Sequence, residues 1–102
     1  MKSNALKIHK RDNVIIATQP ITRNIAIVVD GKKVFDATED IMLGHKIALI
    51  PIAKNAKVFR YGEAIAEATR DIKPGEWVHV HNTKAYPRYT NTIFFLGRVA
   101  IL

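Results

Sequence analysis

Glu63-Ala64-Ile65-Ala66-Glu67-Ala68-Thr69 is the stretch on which the fold class turns. Alanine and glutamate are among the strongest helix formers, so its composition alone favours a helix. Propensity is a weak prior that wider context overrides. Here the context is an internal repeat, which places this segment opposite Lys32-Lys33-Val34-Phe35-Asp36-Ala37-Thr38. Val34, Phe35 and Thr38 read as strand, so 63–69 is expected to be a strand as well.

The repeat has an offset of 31 residues and runs without a gap from 20–47 to 51–78. Pro20-Ile21-Thr22-Arg23-Asn24 answers Pro51-Ile52-Ala53-Lys54-Asn55. Gly31 answers Gly62, Ala37-Thr38 answers Ala68-Thr69, and Asp40-Ile41 answers Asp71-Ile72. A smaller pattern is nested within it. Ile21-Asn24-Ile27, Ile41-Gly44-Ile47, Ile52-Asn55-Val58 and Ile72-Gly75-Val78 share one spacing. The pattern describes a turn: an apolar anchor enters the core, Gly or Asn takes a left-handed conformation, and a β-branched residue starts the next strand.

Strands are expected at 13–18, 25–29, 32–38, 46–50, 57–61, 63–69 and 77–81. Asp30-Gly31 between two of them is a strong hairpin signal. A polar loop is expected at 82–91 and an apolar, β-prone tail at 92–102. The whole reads as a small, mainly β, pseudo-symmetric domain. Residues 1–82 form its body, and 83–102 a loop and apolar tail packed on the same domain.

Composition agrees with one domain. A chain of 102 residues buries about two-thirds of its unfolded surface, enough for one core but seldom for a deep enclosed site. There is no cysteine, which removes disulfides, thiolate metal sites and cysteine nucleophiles, and a reducing compartment fits. Residues 1–10 have no apolar core and read as no signal peptide. No apolar run approaches the length of a membrane span. The net charge of +7 admits polyanion binding, but the basic residues are scattered, so nucleic acid ranks below a solvated basic face and below small carboxylates. Phosphate-cradling glycine loops, Gly-x-Ser-x-Gly and His-Glu-x-x-His are absent from the sequence, and Ser3 is the sole serine.

Candidate chemistry lies where the two copies of the repeat differ. Ala48 and Ile50 of the first copy become His79 and His81 of the second. On a strand running through Trp77-Val78-His79-Val80-His81, Trp77 and both histidines share one face. In the first copy, Gly44 is followed by His45-Lys46. The candidate residues are therefore His45, Lys46, His79, His81 and the adjacent Asn82. His79 and His81 could be exposed strand residues, caps on loop carbonyls, or a metal pair with ligands missing in this chain. His45-Lys46 could be a polar turn or could hold a carboxylate. Trp77 reads as a core or interface anchor, and His9 carries no assignment.

Three segments resemble a known family. They are Asp40-Ile41-Met42-Leu43-Gly44-His45-Lys46-Ile47-Ala48-Leu49, Tyr61-Gly62-Glu63-Ala64-Ile65-Ala66 and Asp71-Ile72-Lys73-Pro74-Gly75-Glu76-Trp77-Val78-His79-Val80-His81-Asn82. They are similar to the N-terminal domain of altronate and galactarate dehydratases, a SAF domain of β-clip fold. In related two-subunit enzymes, sulfolactate lyases among them, the domain is a separate small subunit. The likeness spans about residues 5–82, and its Gly-His-Lys and His-Val-His-Asn elements are the specific part. Other SAF domains are expected to share the turns without these histidines.

The resemblance implies a cytoplasmic hydro-lyase subunit that is inactive without its large subunit. It would help remove water from a 2,3-dihydroxy acid to give a 2-keto-3-deoxy acid. His45, His79 and His81 are implied as catalytic, and Lys46 and Asn82 as substrate-binding. A divalent metal, iron by preference, is expected mainly in the large subunit. The implied partners are that subunit and the sugar acid, with no nucleic acid and no membrane. The alternative is a non-catalytic SAF-type module that binds carbohydrate or sugar acid. The apolar tail, with Ile93-Phe94-Phe95-Leu96, departs from the polar tail expected of the family. It could add an edge strand, pair two copies of the chain or cover the surface meant for the large subunit.

Overall fold

A computed structural model describes residues 1–85. Among these the chain is all strand and turn, with no helix. The turn residues explain much of this. Asp30 and Gly31 both take positive φ, 51° and 76°, as a two-residue type I′ hairpin requires. That turn joins β3 (Ala26–Val29) to β4 (Lys32–Asp36). Thirty-one residues later Tyr61 and Gly62 repeat it, with φ 56° and 78°, joining β6 (Lys57–Arg60) to β7 (Glu63–Ala68). Both hairpins carry a register shift at the same place, Ile27/Val28 and Val58/Phe59.

The segment with helix propensity is thus a strand. β7 pairs on one side with β6 and on the other with β9 (Thr83–Ala85). Two neighbours satisfy its backbone, and Ile65, Ala66 and Ala68 are buried. That burial outweighs the few tenths of a kcal/mol per residue by which helix propensities differ.

The remaining strands form one antiparallel sheet in the order β1 (Ala5–Leu6), β2 (Val14–Ala17), β5 (Lys46–Ala48), β8 (Trp77–Val78). Alternate side chains of β2 and β5 enter different cores. Ile15, Ala17 and Ile47 join Ile21, Ile27, Ala37 and Ile41, all from the first copy. Val14 and Ala48 join Ile52, Val58, Ala68, Ile72 and Val78 from the second. The duplication therefore builds two equivalent cores on a shared sheet, each closed by a bridge between its isoleucine anchors, Ile21 to Ile41 and Ile52 to Ile72. Asn24, Gly44, Asn55 and Gly75 all adopt the left-handed conformation. An aspartate braces each unit: Asp40 Oδ1 accepts the Arg23 N–H and Asp71 Oδ1 the Lys54 N–H, both at 2.8 Å.

The duplication extends into the N-terminal segment, where the sequence shows little of it. Asn4 donates to Ala26 O and accepts from Val28 N; Asn13 donates to Lys57 O and accepts from Phe59 N. The preceding residues cap the hairpin glycines. Ser3 Oγ accepts the Gly31 N–H, and the buried Asp12 carboxylate accepts the N–H groups of Gly62, Tyr61 and His9. Those bonds hold a tyrosine at positive φ, which costs about 1–2 kcal/mol for a residue with a Cβ.

Two expectations are corrected. The strand expected at 77–81 covers only Trp77–Val78; His79–Asn82 is a turn closed by Asn82 N–H to His79 O at 3.1 Å. β8 is the edge of its sheet, and the Asn82 side chain takes over the backbone groups a ladder would use. The polar loop expected from 82 begins with strand β9. The rest of that loop and the apolar tail lie outside the described residues.

Candidate functional site

The site is built at the β5–β8 edge. Gly44 and His45 form the turn entering β5, and β2 holds it: Gly44 N–H donates to Ala17 O at 2.8 Å, and Ala17 N–H to His45 O at 3.0 Å. Lys46 follows on the opposite face, level with Ile16 on β2 and Val78 on β8. Trp77 lies level with Ile47 and packs against the first core. Its backbone N–H donates to Glu39 Oε2 at 3.0 Å.

Trp77 is where the imidazoles meet. Its indole Nε1–H donates to His45 Nδ1 at 3.0 Å. The His79 ring stacks on it at 4.9 Å and 11°, and the His81 ring leans on it at 5.0 Å and 39°. The His45 and His79 ring centroids are 5.3 Å apart. The three histidines are thus brought together around Trp77, although a turn and not the expected strand carries His79 and His81. His45 and His79 are half-buried and His81 is exposed.

Asn82 is placed differently from a substrate-binding group. It is 1% exposed. Its Oδ1 accepts the His79 N–H at 2.9 Å and its Nδ2 donates to Trp77 O at 2.8 Å. Thr83 Oγ donates to His79 O at 2.7 Å. Asn82 therefore holds the turn that carries the histidines.

The electrostatics are cationic. Lys46 is 7% exposed, and burial followed by the Arg60 charge lowers its amine from 10.5 to about 8. The His79 imidazole is lowered below 6.5 by burial first, then by Lys46, His45 and His81. Both shifts come first from burial and only then from neighbouring positive charge. The ion pairs among the described residues, Lys33–Asp36 and Lys84–Glu67, lie elsewhere. A corner of this kind suits a carboxylate or an enediolate.

The same residues do not fit a complete metal centre. The described residues hold no group of three His, Cys, Asp or Glu side chains placed to share an ion. His45 Nδ1 is also engaged by the indole.

Sequence reasoning missed two participants, Arg60 and Glu39, and read a third, Trp77, as an anchor, which its packing on the first core bears out, without its part in the cluster. Trp77 serves as the platform for the imidazoles; its alternation with His79 and His81 was the available signal. Arg60 arrives from the second hairpin, and Glu39 fixes the Trp77 backbone. Neither carries a local signal.

A duplicated β domain with an imidazole-bearing sheet edge is a class narrower than its turns alone would define. The profile of the altronate/galactarate dehydratase SAF domain matches residues 3–86, so the chain belongs to that family. The altronate dehydratase of Bacillus subtilis (strain 168) is 43% identical over 79 residues, which is 78% of this chain and 16% of that protein. The chain thus spans a small part of the length of that relative. No helix among the described residues is long and apolar enough to cross a membrane.

Proposed function

We propose that this chain is the SAF component of a cytoplasmic sugar-acid dehydratase of the altronate/galactarate type, acting as a small subunit with a larger catalytic component. The observation that carries this reading is the Trp77-centred cluster of His45, His79 and His81, with the Lys46 charge acting on His79 from the opposite face of β5. In the proposed reaction a 2,3-dihydroxy acid loses the C2 proton to a base. The 3-hydroxyl departs as water, and the enol left behind tautomerises to a 2-keto-3-deoxy acid. Such chemistry needs a proton acceptor, donors at the oxygens that gain charge, and a cation for the carboxylate. A neutral His79 supplies acceptor capacity, His45 and His81 supply polar groups, and Lys46 supplies the cation. The divalent metal expected of the family would be held by the larger component.

Reconstitution tests this. The purified chain alone is expected not to convert altronate or galactarate. Conversion to a 2-keto-3-deoxy acid is expected when a larger dehydratase component is added, and loss of His79 in His79→Gln is expected to lower that rate about 10²-fold. Turnover by the chain alone would overturn the subunit reading. The cationic corner also suits the second reading, a sugar-acid binding module without chemistry. Calorimetric binding of altronate by the chain, with no turnover in any mixture, would favour it.

A further inference from the structure

We infer that Trp77 is the positioning residue of the histidine cluster: its indole N–H fixes His45 as the Nε2–H tautomer, so that His45 presents a hydrogen-bond donor to whatever occupies the site. The use of that donor rests on the proposed function; the tautomer does not. An indole nitrogen can only donate. A neutral imidazole has one proton shared between two nitrogens. With Nδ1 accepting from Trp77 at 3.0 Å, that proton must sit on Nε2.

The arrangement is rigid from several sides. The Trp77 N–H is held by Glu39 and its carbonyl by Asn82. The His79 ring covers the indole nearly parallel, at 11°, and Ile47 pairs with Trp77 across the sheet. The His45 carbonyl is tied to Ala17 and its N–H to Met42. The backbones of both residues are therefore fixed on the sheet, and the stacked His79 ring covers one face of the indole. In the first copy of the repeat the position of Trp77 is filled by Lys46, so the indole belongs to the half of the molecule that carries the paired histidines.

The consequence is a division of labour. His45 donates at Nε2, and the neighbouring His79, whose imidazole is lowered below 6.5 by burial first and then by the Lys46 charge, has a lone pair to offer when neutral. A neutral imidazole N–H aimed at a substrate oxygen stabilises charge that develops there without giving up its proton. The donor favours a carboxylate or enediolate oxygen, and it disfavours a metal ion at His45 Nε2, which a ligating nitrogen could meet only without its proton.

Nitrogen-15 spectra of the full chain with labelled histidine and tryptophan, at about pH 8 and so above the ordinary histidine range, test the inference. The expected result is a His45 with a pyridine-like Nδ1 and a pyrrole-like Nε2, which moves towards the tautomeric average in Trp77→Phe. A His45 protonated on Nδ1, or a pattern unchanged in Trp77→Phe, would overturn it. If Trp77→Phe fails to fold, the wild-type indole proton decides. It should exchange slowly with solvent and lie in the hydrogen-bonded range, and an indole that exchanges like a free one refutes the lock. These readouts need no turnover, so failed reconstitution would count against the proposed function and leave the tautomer standing.

Discussion

Replacing Lys46 by methionine should stabilise the domain at neutral pH, with a gain that vanishes in alkali. Methionine keeps the length of the stem and removes the charge. In the folded chain the amine titrates at about 8 instead of 10.5, so folding disfavours its protonated form. By linkage such a difference is worth about 3 kcal/mol. Solvent still reaches part of the side chain, which reduces the expected effect to about 2 kcal/mol. Between pH 8 and 10.5 the unfolded chain binds more protons than the folded one, so stability rises with pH through that window. Below pH 8 the penalty is present in full, and above 10.5 it is gone. Urea unfolding followed by the fluorescence of Trp77, the sole tryptophan, measures both proteins from pH 7 to 10.5. Lys46→Met should lead by about 2 kcal/mol at pH 7 and by close to nothing at pH 10.5. A variant less stable than wild type at pH 7, or a difference independent of pH, would refute the argument. Stability gained with function lost is the pattern expected of a cation kept for its chemistry.

Three other perturbations separate the roles assigned above. Gly75→Ala and Gly44→Ala occupy equivalent turns, yet a Cβ at Gly75 would lie 2.8 Å from Asp36 O while one at Gly44 meets nothing within 4 Å; thermal unfolding should show about 1 kcal/mol lost at Gly44 and at least twice that at Gly75. Asn82→Ala leaves His79 N–H and Trp77 O without their partners and should cost about 1–3 kcal/mol, with an altered ring-current shift at His79 by proton NMR; an unchanged His79 signal would contradict the turn-holding role. The His79 titration followed by NMR should fall below 6.5 and move upward in Lys46→Met. Because its folded value is the lower one, His79 weakens the fold as pH falls below the unfolded value, and an upward shift in the wild type would reverse that sign.

Legibility in the sequence followed the range of the interactions. Each isoleucine anchor with its Gly or Asn three residues on describes a local turn, and the turn is set by backbone sterics that any reader of the chain can apply. The repeat carried that information from one half to the other and placed 63–69 in a strand against its own propensity. The histidines stood out for a related reason: a duplicated scaffold makes its exceptions visible.

The site itself was decided in three dimensions. His45 and Trp77 are 32 residues apart, and only the pairing of β5 with β8 brings an indole N–H to an imidazole nitrogen. Burial first, and then the charge of Arg60 from a hairpin with no sequence link to it, lowers the Lys46 amine. Asn82 reads as a polar group beside two histidines, and its burial turns it into a clamp on their backbone. The sequence by itself determined the turns, the duplication and the mainly β class, because these depend on φ preferences and on apolar spacing along one chain. The tertiary structure decided which side chains share a hydrogen bond, which amine is desolvated and which amide is already spent, because those depend on distances between residues that no local pattern encodes.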